Sequence, residues 1–457
     1  MESYNIFIFR RDLRIHDNNG INYCIENLKN VIPIFIFTPE QVSENNKYKS
    51  NNAIQFMIES LKELDKDLKK NGSKLHIFYG HNIEIINYII SKIKIENIIF
   101  NMDYTPYALN RDECIKNLCE NNDIKIKIIQ DYLLMDIGSL NKKDGSPYTV
   151  FTPFKNNGLK EKINKPKFLN LKNFVNCNKL KCNDYIDYEI NDNILVNGGR
   201  INGLKYLDLI KKQNNYNETR NMLSIQTTLL SAYIKFGCLS IREVYWKIRN
   251  NLGLESSLLS QLFWREFYYY ISYYYPDVLR GKNWNHKYDK IKWKTNKNFL
   301  NEWINGKTGY PVVDAGMIEL KTTGYMHNRA RLITSNFLNR MLGIDWTKGE
   351  EYFATQLTDY DPSVNNGNWQ WIASTGVDPK PYFQRLFNPM LQSKKFDPDC
   401  IYIKKWLPQL KDINCNELHD WENYYKNYNL DEIHYYKPIV NYKQAREISI
   451  EMYRDVL

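Results

Sequence analysis

Short apolar runs and helix-like stretches alternate along the first 130 residues. The runs are rich in Ile, Val and Phe, as strands buried on both faces of a sheet require, and they fall at Asn5–Phe9, Val31–Phe37, Lys74–Tyr79, Asn97–Asn101 and Ile124–Gln130. Between them, Asn51–Lys70 has the period of an amphipathic helix, with an apolar face made by Phe56, Leu61, Leu64 and Leu68. This alternation predicts a five-stranded parallel sheet covered by helices, a Rossmann-like α/β domain over residues 1–130.

The pattern changes twice beyond this region. Residues 131–200 are rich in Lys, Asn, Gly and Pro with weak periodicity, which predicts a long connector over the surface. Residues 201–457 predict an all-α domain, with helices at Leu223–Phe236, Ser256–Tyr275, Val313–Thr322, His327–Met341 and Trp346–Leu357. Asp361-Pro362 predicts a further helix start, because Asp is a good cap and Pro suits the first turn.

Charge and aromatic content narrow the possible partners. The 62 Lys and Arg exceed the 52 Asp and Glu, so the net charge of +10 favours anionic partners such as nucleic acid or an anionic membrane surface; a solvated Lys-rich surface is the alternative. The 35 Tyr accompany abundant Asn, Lys and Ile, which indicates a codon bias in the gene. The clusters Tyr268–Tyr270 and Tyr273–Tyr275 therefore predict helix packing, and no function is assigned to them. The 10 Trp do not follow the bias and need another explanation.

The cysteines and the apolar runs indicate the compartment. The 8 Cys include no CxxC pair, and neither C-x4-C pair has nearby His partners, which predicts free thiols in a reducing compartment and no metal site. No apolar stretch approaches the roughly 20 residues that span a bilayer, and Ile6–Phe9 is too short for a signal peptide. We expect a soluble, intracellular protein.

Two common nucleotide motifs are missing. The first strand is followed by FRRDLRIHD (Phe9 to Asp17) instead of GxGxxG, which disfavours an ordinary NAD site. Gly306-Lys307-Thr308 looks like the end of a P-loop, but position 301 is Asn where the motif needs Gly.

Other segments offer binding chemistry, each with a structural alternative. The hydroxyls of Thr227, Thr228 and Ser231 near a predicted helix start suit a phosphate, or they are a helix cap with nothing bound. In His327–Arg331, Asn328 and Arg331 share a helix face while Arg329 points elsewhere, towards DNA phosphate or simply towards solvent.

The densest polar segment runs from Asp359 to Trp371. Its two carboxylates, amides and two tryptophans favour either a metal loop or a polar pocket beside an aromatic wall. The later Glu of an EF-hand is missing, which argues against the metal loop.

Together these segments resemble the photolyase/cryptochrome family, and most closely its class I cyclobutane pyrimidine dimer photolyases. The resemblance runs in order through FRRDLRIHD, Trp264-Arg265-Glu266-Phe267-Tyr268, GKTGYPVVDAGM, MHNRAR, Asp345-Trp346, NNGNWQW, Phe387–Pro389, Lys395–Pro398 and Pro438-Ile439-Val440. It implies a helical C-terminal domain that binds FAD. It also implies a light-driven lyase in which excited, reduced FAD passes an electron to a flipped-out dimer, which splits.

The resemblance assigns residues to the flavin. By motif match, the FAD-binding set is Tyr216, Thr227, Thr228, Leu229, Leu230, Ser231, Arg265, Asn328, Arg331, Asp359, Tyr360, Asp361 and Asn365. Within it, Arg331 would pair with Asp359 against the ring, Asp361 would hold the pyrimidine edge, and Asn365 would face N5. An amide at N5 suits an anionic reduced ring better than a second carboxylate, which would repel it.

Further residues are implied for electron transfer and for DNA. Trp369, Trp346 and Trp293 match a tryptophan chain from flavin to surface, with core packing as the alternative. Trp264 and Trp371 match residues that hold the flipped-out lesion by stacking. The full substrate and DNA set is Gln261, Trp264, Arg220, Arg329, Leu332, Trp371 and Arg385. UV-damaged DNA is the implied partner, bound by a monomer.

Several positions depart from the family pattern. Gln261 replaces the usual Glu, as in (6-4) photolyases, and Leu332 replaces the usual Met; however, (6-4) enzymes need two His where this chain has Asn328 and Leu332. A (6-4) photolyase and a cryptochrome light receptor therefore stay as alternatives, although the chain ends about 17 residues after Pro438-Ile439-Val440, without a regulatory tail.

Two further departures affect DNA contact and light harvesting. Tyr382-Phe383-Gln384-Arg385 is one residue longer than the family's PYFR motif, so Arg385 is displaced by one residue from the position of the motif's arginine. Ala108 stands where folate-binding members have Glu, so a folate or deazaflavin antenna is unassigned.

Overall fold

The structure is a computed structural model that describes residues 2–378 and 386–456. Its first part holds a five-stranded parallel sheet in the order β3-β2-β1-β4-β5. The strands are β1 (Ser3–Phe9), β2 (Val31–Phe37), β3 (His76–Tyr79), β4 (Lys94–Asn101) and β5 (Lys125–Ile129). The predicted α/β fold and all five strands are confirmed. The order reverses between β1 and β4, so the carboxyl ends of these two strands border a crevice where ligands bind in such sheets.

Helices cover both faces of this sheet. They are α1 (Asn19–Asn27), α2 (Pro39–Val42), α3 (Asn51–Lys70), α4 (Asn82–Lys92) and α5 (Pro106–Glu120). Alternate residues of the strands enter two different cores: Phe7 and Phe35 pack on the side of α3, and Ile6 and Ile34 pack on the side of α4 and α5. Both sheet faces are therefore buried, which explains the continuous apolar runs in the sequence.

The connector is extended apart from α6 (Phe151–Gly158). It runs back along the sheet, where Val31 forms a parallel bridge with Phe174 and Asn183 N–H donates to Ile77 O at 2.8 Å. The exact division into domains at 1–130, 131–200 and 201–457 stays a prediction.

The rest of the described chain is helical, as predicted. Its α-helices are α7 (Arg200–Asp208), α8 (Tyr216–Thr219), α9 (Ser231–Lys235), α10 (Ile241–Leu252), α11 (Ser257–Tyr274), α12 (Lys297–Ile304), α13 (Pro311–Thr323), α14 (Asn328–Asn336), α15 (Trp346–Gln356), α16 (Pro362–Ile372), α17 (Pro389–Phe396), α18 (Ile401–Trp406), α19 (Cys415–His419), α20 (Trp421–Tyr424) and α21 (Tyr442–Arg454). Short 3-10 segments lie at Leu209–Lys212, Pro276–Arg280, His286–Lys290, Pro408–Leu410 and Tyr425–Asn427, and a π-helical turn at Phe337–Met341 continues α14.

One predicted helix is wrong over most of its length. The segment predicted at Leu223–Phe236 is helical only over α9. Leu223 N–H donates to Phe396 O at 2.8 Å, and Leu229 has φ +53°, a left-handed conformation that interrupts any helix. The apolar side chains of this loop are buried, and that burial produced the helix-like pattern.

A buried ionic network joins the helical part to the sheet. Arg242 of α10 lies 3.0 Å from Asp17 and 2.7 Å from Asp131, and Arg14 lies 2.6 Å from Asp131. These side chains are at most 7% exposed. Phe56 of α3 also stacks on Phe236 with ring centroids 5.0 Å apart. Polar and apolar contacts thus fix the two parts against each other.

Three other expectations concern cysteines, metals and membranes. All eight cysteines are free thiols. Within the described ranges, no group of His, Cys, Asp and Glu side chains is arranged to hold a metal ion. In that same part of the chain, no helix has the length and apolar character that crossing a membrane requires. The Gly306-Lys307-Thr308 segment packs at the start of α13. There Thr308 N–H and Oγ1 both donate to Asp314 Oδ1, so these donors bind a carboxylate of the protein.

Candidate functional site

Helix α16 carries much of the polar segment found in the sequence. Asp361 caps it by accepting from Val364 N–H at 3.2 Å, and Pro362 occupies the first turn, as predicted. A methyl group on Gly367 would overlap the Tyr268 ring, so this glycine lets α16 approach α11 closely. This close packing sets the position of Asn365, Trp369 and Trp371 relative to α11.

An ion pair lies just before α16. Arg331 contacts both carboxylate oxygens of Asp359 at 2.9 and 3.1 Å. Ser231 Oγ donates to the same carboxylate at 2.7 Å and lies 3.3 Å from the Tyr325 hydroxyl. Three residues predicted for one site, separated by up to 128 residues along the chain, therefore meet there.

The loop before α9 offers unpaired donors. Backbone N–H groups from residues 227 to 233 donate to no described residue, and the hydroxyls of Thr227 and Thr228 form no hydrogen bond with one either. Leu229 in this loop has a left-handed backbone conformation, which residues other than Gly adopt at a cost of about 1 kcal/mol or more. Half-buried Tyr216 lies on α8, which packs against α11. Free N–H groups and hydroxyls next to Arg331 suit an anionic group.

Asp361 is held by donors from both parts of the chain. One of its oxygens accepts from Arg11 of the FRRDLRIHD segment and from the Tyr269 hydroxyl, and the Tyr132 hydroxyl lies 3.3 Å away. Burial alone would raise the pKa of Asp361, but the Arg11 guanidinium and the Tyr269 hydroxyl bring it below the ordinary value, so the carboxylate is charged. Its role towards a flavin edge stays a prediction.

Arg265 belongs to this same layer. It donates to Glu266 at 2.8 Å and to Tyr132 O at 3.0 Å. Its guanidinium lies over the Tyr132 and Tyr269 rings, 4.2 and 5.0 Å from their centroids. Arg265 therefore supports the tyrosines that surround Asp361.

Asn365 has an acidic partner that the sequence did not reveal. Its amide nitrogen donates to Glu350 Oε1 at 3.0 Å, and the Tyr360 hydroxyl donates to the same oxygen at 3.3 Å. The amide oxygen of Asn365 accepts from no described residue. Burial raises the pKa of Glu350 from its ordinary 4.5 to about 7, so Glu350 is largely neutral in weak acid.

The three tryptophans of the predicted chain differ in exposure. Trp369 and Trp346 are each 2% exposed, whereas Trp293 is half-buried. Trp346 Nε1 donates to Asn283 Oδ1 at 2.9 Å, and Lys294 N–H donates to Gly343 O at 2.8 Å, which lays the Trp293 segment beside the start of α15. The three residues thus range from core to half-buried positions, and their role as an electron-transfer chain stays a prediction.

The predicted lesion residues lie on three helices. Gln261 and Trp264 are one turn apart on α11, Trp371 is near the end of α16, and Leu332 is on α14; all four are half-buried. Gln261 donates its amide N–H to Ser257 O at 3.1 Å, so its oxygen is left for another partner. Asn328 is exposed at the start of α14.

The predicted DNA-facing arginines are partly engaged by the protein. Arg329 donates to Asn221 Oδ1 at 2.6 Å and lies 4.3 Å from the Phe396 ring centroid. Burial and the nearby charge of Arg220 lower the pKa of Arg329 to about 10, so Arg329 stays cationic at neutral pH. Arg385 lies outside the described residues.

A second feature is a cavity of about 930 Å³ at the carboxyl ends of β1 and β2, between the sheet and the helical part. Its basic lining residues are Arg10, Arg11, Lys47, Lys49, Arg111, Lys235, Arg280 and Lys348. Tyr48 and Tyr360, also in the lining, stack with their rings 4° from parallel. A basic cavity with aromatic walls can hold a flat, anionic molecule. Ala108 is fully buried on α5 and lines none of it.

Sequence reasoning missed Glu350, Arg11 and Tyr269. Glu350 carried a signal, because it falls on the helical face of Trp346, Gly349 and Phe353 and is a carboxylate among buried positions. Tyr269 was assigned to packing alone, yet its hydroxyl donates to Asp361. Arg11 had no local signal for a partner 350 residues away.

Known proteins match the chain along most of its length. A family model described as DNA photolyase covers residues 5–169, and one described as the FAD binding domain of DNA photolyase covers residues 258–455. A deoxyribodipyrimidine photo-lyase from Buchnera aphidicola subsp. Baizongia pistaciae is 35% identical over 98% of each chain. A crystal structure of an archaeal photolyase from Sulfolobus tokodaii with two FAD molecules has a TM-score of 0.87 and 37% identity, covering 99% of this chain and 100% of that one. A cryptochrome from Synechocystis sp. PCC6803 has a TM-score of 0.86 and 26% identity over 99% of each chain.

Proposed function

This chain belongs to the DNA photolyase family, and from that premise we propose that it is a light-driven DNA repair enzyme that splits cyclobutane pyrimidine dimers. The observation that carries the proposal is the meeting of Ser231, Arg331 and Asp359 beside α16, whose other end carries Trp371. These residues join an anion-binding loop to an aromatic pocket, which is what a flavin and a stacked lesion require.

The described residues fit FAD. The unpaired N–H groups and hydroxyls of residues 227–231 would hold its phosphates, and Arg331, kept in place by Asp359, would supply a positive charge near the ring. Asn365 would offer its free amide oxygen, since its nitrogen is bound to Glu350. When bound, FAD supplies the photoexcited electron for the repair reaction.

The protein's part in the reaction is to position groups and to stabilise charge. Arg331 balances negative charge at the ring, while Asn365 adds none. Trp264 and Trp371 would stack on the extruded bases, and Gln261 would hydrogen-bond to one of them through its free oxygen. Arg220 and Arg329 would face the phosphate backbone, and this part of the proposal assumes that the protein binds UV-damaged DNA as a monomer.

Two other activities compete with this proposal. A (6-4) photolyase is supported by Gln261, but Asn328 and Leu332 supply no imidazole that could transfer a proton to that lesion. A light receptor without repair activity is supported by the similarity to the Synechocystis cryptochrome. Among the described site residues, no further feature supports either the (6-4) photolyase or the light receptor.

Repair assays on the two lesion types separate these activities. Photoreduced protein is mixed with oligonucleotides that carry either a thymine cyclobutane dimer or a (6-4) product, and the mixtures are exposed to blue light. We expect restoration of the cyclobutane dimer only. Restoration of the (6-4) product would select the second activity, and no restoration of either, with light-triggered binding of a protein partner, would select the third.

We also propose that the basic cavity at β1 and β2 holds a second, light-harvesting chromophore. The two FAD molecules of the Sulfolobus tokodaii photolyase support a second cofactor in such proteins. The cavity is large enough for a flavin or a folate, and its cations suit phosphate or carboxylate groups. The absorption spectrum of protein purified from its own source, followed by extraction and mass determination, identifies the chromophore. FAD alone at one molecule per chain would contradict this part of the proposal.

A further inference from the structure

The connector helix α6 reaches Trp264, which with Trp371 makes up the proposed lesion pocket. Phe151, its first residue, lies face to face on the Trp264 indole, with ring centroids 3.6 Å apart and planes 7° from parallel. Phe151 is buried, whereas Trp264 is half-buried. Isolated aromatic pairs prefer an offset or edge-to-face arrangement over this face-to-face one. The surrounding structure must therefore impose the stack.

The packing of α6 accounts for part of this geometry. A methyl group on Gly158 would come within 2.8 Å of the Phe263 ring, so α6 lies close against α11. Phe154 contacts Phe267 and Tyr270 with ring centroids 5.4 and 5.2 Å apart, but it does not contact Trp264. These contacts fix the helix, and Phe151 is the α6 residue whose ring stacks on Trp264.

Asp378 fixes the start of α6 from a distant segment. No side chain caps α6 locally, and Phe151 N–H donates instead to Asp378 Oδ2 at 3.1 Å. The backbone oxygen of Asp378 accepts from Trp371 Nε1 at 3.1 Å. One residue therefore binds the indole of Trp371 and the helix start that stacks on Trp264. Asp378 has φ +47°, a left-handed conformation in which non-Gly residues are found only when the surroundings demand it.

We propose that Phe151 and Asp378 are positioning residues that hold Trp264 and Trp371 in the arrangement that receives the lesion. The inference rests on the proposed function, since it takes the two tryptophans to be the lesion pocket. A half-buried indole that is free to rotate must be ordered when the lesion binds, and that ordering weakens binding. The stack on Phe151 and the hydrogen bond to Asp378 order both indoles beforehand. The connector is then part of the substrate site.

The test compares binding of dimer-containing and undamaged DNA of the same sequence in the dark. Phe151→Leu removes the flat ring but keeps an apolar side chain, and Phe151→Tyr keeps the ring. We expect Phe151→Leu to weaken binding of dimer DNA about tenfold, with binding of undamaged DNA and the FAD content unchanged. We expect Phe151→Tyr to bind like the wild type. The repair yield at saturating DNA should also be unchanged, because the electron-transfer step is not altered.

Phe154→Leu is the matched control, because it removes a ring from the same helix without touching Trp264. Asp378→Ala and Asp378→Asn provide a second pair, since only Asn keeps a side-chain oxygen that can accept from Phe151 N–H. The inference predicts weaker dimer binding for Ala and near wild-type binding for Asn. This pair decides the question if Phe151→Leu fails to fold.

The outcomes separate the inference from the proposed function. If the wild type neither prefers dimer DNA nor repairs it, the proposed function fails. If the wild type does both and Phe151→Leu binds dimer DNA equally well, only the inference is overturned. Equal losses for Phe151→Leu and Phe154→Leu on both DNAs would also overturn it, because the role of Phe151 would then be general packing.

Discussion

Trp293 is the half-buried end of the predicted tryptophan chain, while Trp346 and Trp369 are 2% exposed. Replacing it by Phe, which is much harder to oxidise, should stop electrons from reaching oxidised FAD through this route. We expect Trp293→Phe to block photoreduction, which is measured as the loss of oxidised flavin absorbance under blue light. Chemically reduced protein should still repair dimers normally. Trp406→Phe on α18 is the control. Equal photoreduction of Trp293→Phe and the wild type would contradict the assigned chain.

Glu350 makes stability depend on pH. Burial raises its pKa from 4.5 to about 7, so the folded protein holds a proton that the unfolded chain loses near pH 4.5. Stability from this group is therefore complete below pH 4.5 and falls as the pH rises to 7, by about 1.4 kcal/mol for each unit of the shift as an upper bound. Glu350→Gln does not titrate.

Urea unfolding of the wild type and Glu350→Gln between pH 4.5 and 8 checks this expectation. The wild type should lose stability relative to Glu350→Gln as the pH rises, and the difference should level off above pH 7. A constant difference across this range would show that folding does not raise the pKa of Glu350. The comparison removes the contributions of other carboxylates, because both proteins share them.

At the scale of elements, α15 and α16 meet through Gly349. A methyl group there would overlap the Trp369 indole and come within 2.6 Å of Leu338. Gly→Ala in a helix normally stabilises by up to about 1 kcal/mol. Here we expect Gly349→Ala to destabilise by about 1 to 3 kcal/mol from overpacking and to slow photoreduction by displacing Trp369.

Urea unfolding and photoreduction rates measure both effects. Lys348→Ala, on the exposed side of the same helix, is the control for unfolding and should change the stability by no more than the experimental error. Gly349→Ala as stable as the wild type would contradict the close packing of α15 against Trp369.

The elements show what local sequence can and cannot predict. The strands and α3 were predictable, because their apolar periods are local and their caps adjoin them. The loop from Leu223 to Leu230 was not, since its burial comes from contacts such as the one with Phe396. The family resemblance assigns Ser231, Arg331 and Asp359 to one site, and the three side chains are in contact in the structure. Arg11 was missed because its partner Asp361, 350 residues away, is brought to it only by packing between distant segments. Glu350 lies 15 residues from Asn365, and it was missed although its place on a buried helix face was a local signal.

For the whole molecule, the Arg242 network tests how tightly the two parts are joined. Arg242→Met leaves Asp17 and Asp131 buried with fewer cationic partners, which costs about 3 to 5 kcal/mol. We expect a large fall in the free energy of unfolding and a separation of sheet and helix unfolding, visible as two transitions. Urea unfolding is followed by tryptophan fluorescence, which reports on the helical part because all ten Trp lie at position 246 or beyond, and by far-ultraviolet circular dichroism, which reports on both parts.

Lys247→Met is the matched control on the same helix. Lys247 lies 2.6 Å from Asp208, but Asp208 is 68% exposed, so this pair contributes about 1 kcal/mol or less. Similar losses for the two variants would mean that the buried network does not hold the parts together.

The contact between Arg11 and Asp361 has a consequence for the order in which the protein matures. Domains generally fold in turn from the N-terminus during synthesis, so the sheet with Arg11 is formed long before residue 361 leaves the ribosome. Asp361 then docks on a surface that already exists, and helix α16 is aligned by it. We therefore expect the N-terminal part to act as a template on which α16, with its predicted flavin-binding residues, is aligned. A helical half made alone, without residues 1–130, would lack the partner that orients its central helix.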